Sequence, residues 1–145
     1  MLFGQTLTSI NAKGQLVLPS YLATSLPEKV FITQGLDRNL LLFPEKTFEY
    51  LYEQLKGLNL ADPKARILLR TILGSACELI IDPANHLELP GSLKIFANVD
   101  SQAVLIGQGS FMEIWNPTDW RTQELSYQDV EADPERFCNF NIAFG

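Results

Sequence analysis

The sequence predicts an α+β protein, a small β-barrel made of two pseudo-symmetric halves with helices on its outside. Three observations carry that expectation. A strand–turn–strand–proline unit occurs twice, as INAKGQLVLP at 10–19 and IDPANHLELP at 81–90. Asn11 answers Asp82, Leu16 answers Leu87, Leu18 answers Leu89 and Pro19 answers Pro90, always 71 residues apart. The segments that follow each unit also recur in the same order, and a repeat of this length implies a duplicated structural unit. Between the halves lie two stretches with helical rather than strand periodicity.

The elements follow in order. After Pro19 comes a short helical segment, SYLATSL, and after Pro90 comes GSLKIFA, with Leu22 answering Leu93. The β-branched stretches VFIT (30–33) and AVLI (103–106) predict a strand in each half, running into Gly35 and Gly109. A further strand follows in each, LLLF (40–43) and MEIW (112–115). Pro44 with Phe48, and Pro117 with Trp120, then open a helix. In the first connecting helix, Phe48, Leu51, Tyr52 and Leu55 form one apolar face, and Gly57 ends it. The second opens with Asp62 as N-cap and Pro63 at the first helical position. Its apolar face is Ala65, Leu68, Leu69, Ile72 and Leu73, and Gly74 is placed to close it. Arg66 and Arg70 lie one turn apart on the opposite side, as a solvated or interface face.

These signals divide the chain into a first repeat (5–47), a connecting helical pair (48–75), a second repeat (76–122) and an acidic, then aromatic tail (123–145). Phe137, Phe140 and Phe144 suit docking on the core or on a neighbouring subunit, against the alternative of a disordered tail. Eight short strands in two sets cannot bury both faces separately. One barrel closed from both halves, with the helical pair outside, would bury them and remove the edge strands.

Composition excludes several function classes. The 145 residues fit one domain or two very small ones, and 46% apolar content suffices for a packed core. The net charge of −6 argues against nucleic acid as a partner. Screening nevertheless confines exposed charges to about 8 Å at physiological salt, so a locally basic face can still function. Cys77 and Cys138 form neither a disulfide framework nor a metal-ligand spacing, and with a single histidine no transition-metal site is expected. The N-terminus lacks the pattern of a signal peptide, and no apolar run is long enough for a membrane span. No nucleophile elbow, phosphate loop, zincin helix or dinucleotide fingerprint occurs. We therefore expect no enzyme, no cofactor and no small-molecule substrate, and a cytoplasmic protein.

The duplicated turns are the candidate site. The first carries Lys13, Gly14 and Gln15, and the second carries Asn85 and His86. Gly14 permits a positive φ at the tip, and Asn85 tolerates one. Lysine neutralises a phosphate, while glutamine and asparagine pair with adenine in a major groove. His86 can donate to phosphate or guanine, and it belongs to the residue type that titrates near neutrality. The competing reading is a pair of idle, solvated hairpin turns. Duplication favours function, because two equivalent fingers on one face suit a quasi-twofold DNA reader. Whether Lys29, Arg38 or Lys94 converges on that face is a question for the fold.

Together these features resemble the MraZ family of bacterial transcriptional regulators, built from two AbrB/SpoVT-like swapped-hairpin repeats. The resemblance covers residues 1 to about 122. It is carried by MLFGQ, NAKGQLVLP, GLDRNLLLFP (35–44), ARILLRTILGSACE (65–78), IDPANHLELP and IGQGSFMEIW (106–115). It implies a ring-shaped homo-oligomer that binds double-stranded DNA at repeats upstream of its own operon, within a division and cell-wall gene cluster, and associates with the nucleoid. The family's Asp-x-x-x-Arg element, whose arginine contacts DNA, reads Asn11-Ala12-Lys13-Gly14-Gln15 in the first copy here and Asp82-Pro83-Ala84-Asn85-His86 in the second. Neither arginine is present. The alternative is therefore a protein-interaction scaffold of the same fold that has lost DNA binding.

Overall fold

The computed structural model describes residues 1–145. The chain runs β1 (Gln5–Ser9), β2 (Gln15–Val17), α1 (Ser20–Ala23), β3 (Lys29–Gln34), β4 (Leu40–Pro44), α2 (Glu45–Leu55) and α3 (Pro63–Ile72). It continues with β5 (Cys77–Ile80), β6 (His86–Glu88), α4 (Gly91–Ala97), β7 (Gln102–Gly107), β8 (Met112–Trp115) and α5 (Pro117–Gln128). The mixed α+β class is as expected. All strand pairing is antiparallel, and the helices lie at the periphery.

The pairing crosses between the halves. Six strands form one sheet in the order β1-β7-β8-β4-β3-β5, and β2 with β6 forms a separate ribbon. Thus β1 of the first repeat pairs with β7 of the second, and β5 of the second pairs with β3 of the first. Each half completes the other's sheet, which is why neither half's strands suffice alone. Registers follow the repeat. Leu40 faces Ile114 and Leu42 faces Met112 across β4–β8, while Gln15 faces Glu88 and Val17 faces His86 across β2–β6.

The expectation of a closed barrel requires correction: the hydrogen-bonded ladder stops at β1 and β5. The reason lies in the ribbon. β2 and β6 are three residues each and pair with one another, leaving little backbone to bond to the sheet edges. Near the β1 edge the bridge Ile10–Leu16 and a hydrogen bond from Thr8 Oγ1 to Val17 O (2.5 Å) join ribbon to sheet. Side chains close the fold instead. Leu16, Leu18, Leu87 and Leu89 from the ribbon pack with Val30, Ile32, Leu40, Leu42, Leu105, Met112 and Ile114 from the sheet in one core of 18 buried residues.

Helix signals in the sequence are realised locally. Asp62 accepts a hydrogen bond from Lys64 N (2.9 Å), with Pro63 next to it, so α3 starts as its cap dictates. Asn116 caps α5 in the same way through Asp119 N (2.9 Å). On α2, Leu55 is buried and Phe48 stacks on Phe31 at 4.3 Å, but Tyr52 is exposed. The apolar stripe of α2 is therefore narrower than its spacing suggests. The matched aromatics Phe43–Phe48 and Trp115–Trp120 repeat one tilted arrangement, at 5.9 and 5.5 Å. Arg66 and Arg70 are exposed, as expected.

Candidate nucleic-acid interface

The ribbon β2–β6 presents both turns. Its inner side chains, Leu16 and Leu87, are fully buried. Because side chains alternate along a strand, Gln15, Val17, His86 and Glu88 form the outer face. The buried leucines anchor the ribbon and fix which residues point outward.

The two turns share one geometry. Asn11 Oδ1 accepts hydrogen bonds from Lys13 N and Gln15 N, both at 3.0 Å. Asp82 Oδ1 accepts from Ala84 N (2.9 Å) and His86 N (2.8 Å). Gly14 N donates to Asn11 O, and Asn85 N donates to Asp82 O, each at 2.9 Å. Gly14 has φ 77° and Asn85 has φ 63°, so both tips need the left-handed region that the sequence reading allowed for. The tips are cross-tied: Leu18 N donates to Asn85 O (2.9 Å) and Leu89 N to Gly14 O (3.2 Å). The side-chain oxygen at position 11 or 82 is thus a turn organiser, and an amide performs that task as well as a carboxylate.

The amide at Asn11 adds one contact. Its Nδ2 donates to Gln15 Oε1 (2.9 Å), which orients the Gln15 amide and leaves its Nε2 donors free. In the second turn His86 Nδ1 lies 3.8 Å from Asp82 Oδ2, too long for a hydrogen bond but close enough for attraction when the imidazole is charged.

Of the three additional cations, one reaches a turn. A Cβ placed on Gly14 would lie 3.4 Å from Lys94 Nζ, so the α4 lysine lies beside the first tip, near Lys13. Lys29 is held elsewhere, between Glu45 (3.1 Å) and Glu78 (3.3 Å). Arg38 stands over the Phe96 ring at 5.8 Å. The residue 71 positions before Lys94 is Ala23, so the second turn has no equivalent cation. Glu88, directly opposite Gln15 in register and exposed, places a carboxylate on the outer face. Sequence spacing could not reveal Lys94 or Glu88 as neighbours of the first turn, because the β2–β6 pairing brings them there from the other half of the chain.

A family model described as MraZ protein matches residues 1–71 and again 72–141, one match for each half. The chain belongs to the MraZ family. A relative from Herpetosiphon aurantiacus is 33% identical over 143 residues, covering 98% of this chain and 100% of the relative. One from Desulfitobacterium hafniense (strain DCB-2) matches at the same identity and coverage. A third, from Symbiobacterium thermophilum, is 34% identical over 117 residues, or 81% of this chain and 85% of the relative. All three are named transcriptional regulator MraZ, and the MraZ family is one of regulators rather than enzymes. No helix of the protein is long and apolar enough to cross a membrane.

Proposed function

We propose that the protein is a DNA-binding transcriptional regulator that reads promoter DNA with the two turns of the β2–β6 ribbon. The observation that carries this reading is their identical backbone geometry on one anchored ribbon, with Lys13 and Lys94 flanking one tip. The first turn holds the strand through phosphate charge from the two lysines, and Gln15 offers its free amide donors to a base edge. The second turn reads with Asn85 and His86 and holds little charge. The protein acts as a ring-shaped homo-oligomer on repeats upstream of its own operon, and it localises to the nucleoid. Many weak turns on one assembly reinforce one another through effective concentration, which compensates for the absent arginines. The supports are the family membership and the name its relatives carry.

The decisive experiment is an anisotropy titration with DNA from upstream of the gene, at two salt concentrations. The comparison is a variant with Lys13→Ala, Gln15→Ala, Asn85→Ala and His86→Ala. Salt-sensitive binding that the variant loses is the expected result. No binding by the intact protein at low salt would instead favour a scaffold that acts through protein partners. Glu88 on the outer face and the net charge of −6 are the observations favouring that second reading.

A further inference from the structure

The segment after α5 contains a second copy of the α3 start signal. Ala61-Asp62-Pro63 precedes α3, and Ala132-Asp133-Pro134 stands 71 residues later; Gly74 and Gly145 end both stretches at the same spacing. The second family match extends to residue 141, so residues 133–141 of this segment fall within the repeat unit. Its backbone is already partly wound. Arg136 N donates to Asp133 O, Cys138 N to Glu135 O and Phe140 N to Phe137 O, at 3.3, 3.0 and 3.1 Å. These are i to i+3 turns at the positions a helix would occupy.

What the segment lacks is a surface. Phe137, Phe140 and Phe144 fall at i, i+3 and i+7, one helical face, yet all three are exposed, Phe144 by 99%. A helix of about 12 residues is marginal in water without packing. Asp129, Glu131, Asp133 and Glu135 make no ion pair. A complementary face exists on α3: Lys64, Arg66 and Arg70 point outward without ion pairs, beside Leu60 and Ile67, each 60% exposed.

The two surfaces sit at opposite ends of the sheet. α5 lies against the β1–β7 end, where Trp120 Nε1 donates to Gln5 Oε1 (3.3 Å), while α3 packs on β3, next to the β5 edge. Only residues 129–132 separate α5 from Asp133, a reach of at most about 18 Å over the five steps from Gln128. The partner that suits this placement is another molecule, in a contact whose two sides differ, which closes into a ring or extends as a fibre.

We propose that residues 133–144 are the second repeat's counterpart of α3 and fold into a helix by docking their phenylalanine face on the Leu60–Ile67–Arg70 face of α3 in a second copy. This rests on the oligomer reading above and adds the contact that builds it.

The test uses three full-length forms carrying Cys77→Ala and Cys138→Ser, because Cys138 would lie on the helix side away from the phenylalanine face. The first adds Asn141→Cys, at the rim of that face. The second adds Ile67→Cys. The third adds both. The first two, differently tagged, are mixed and mildly oxidised, because a disulfide forms only between closely approaching Cα atoms. The expected result is a cross-linked heterodimer in several-fold excess over either homodimer. Intramolecular closure of the third form at monomer mass would overturn the second-copy assignment. Native-mass measurement separates the remaining outcomes. An oligomer without the heterodimer overturns the tail contact alone, and a monomeric chain without it overturns both readings.

Discussion

Asn11 and Asp82 each hold two backbone amides with one side-chain oxygen. Removing that oxygen leaves both donors to water and loosens the tip. Asn11→Ala should destabilise the fold by about 1–2 kcal/mol, as loss of a comparable helix cap does. Asn11→Asp should stay within about 0.5 kcal/mol, since the acceptor remains. Denaturant midpoints at constant slope distinguish the two, and equal losses would show that the oxygen does not organise the turn. Gly14→Ala should cost about 1–2 kcal/mol in the same assay, because φ 77° forces a side chain into the left-handed region. Glu88 affects binding rather than folding. Exposed beside Gln15, it repels phosphate, so Glu88→Gln should tighten DNA binding several-fold at low salt and less at high salt. Unchanged affinity would place the DNA away from this face.

Among the elements, Lys29 ties three together: it lies on β3 and bridges Glu45 of α2 and Glu78 of β5. The hydrogen bond to Glu45, then that to Glu78, raises its pKa above the ordinary 10.5. The folded state therefore binds this proton more tightly than the unfolded chain. The contribution is complete below pH 10.5 and is lost as pH rises through the raised folded value. Melting temperature measured from pH 8 to 11.5 should fall more steeply for the native chain than for Lys29→Met, and parallel curves would remove the bridge from the account. Between β4 and β8, the buried Asn39 donates to Glu113 Oε2 at 2.7 Å and accepts from Asp37 N at 3.2 Å. Asn39→Leu should cost about 1–3 kcal/mol, because it strips a partner from the carboxylate and from the turn amide.

For the whole molecule the decisive quantity is how affinity depends on salt. On the proposed reading the acidic chain holds DNA at the first turn, where Lys13 and Lys94 lie together. Lys94→Ala should lower affinity for all DNA sequences alike and reduce the salt slope by about 1 for each turn engaged. Gln15→Ala should instead change which sequence is preferred. Similar changes from both would mean that Gln15 contacts phosphate as well.

The sequence by itself determined the duplication, the turn chemistry and the helix starts, because these depend on residues a few positions apart. Asp62 with Pro63, Asn11 with the amides of Lys13 and Gln15, and the left-handed tips at Gly14 and Asn85 all follow from local backbone rules. Tertiary structure alone decided which strands pair across the halves. It left the ladder open at β1 and β5 because the ribbon strands are too short to close it. It also carried Lys94 and Glu88 to the first turn while holding Lys29 between two glutamates. Those outcomes join residues tens of positions apart, through burial of leucines common to both halves, and no local pattern encodes them.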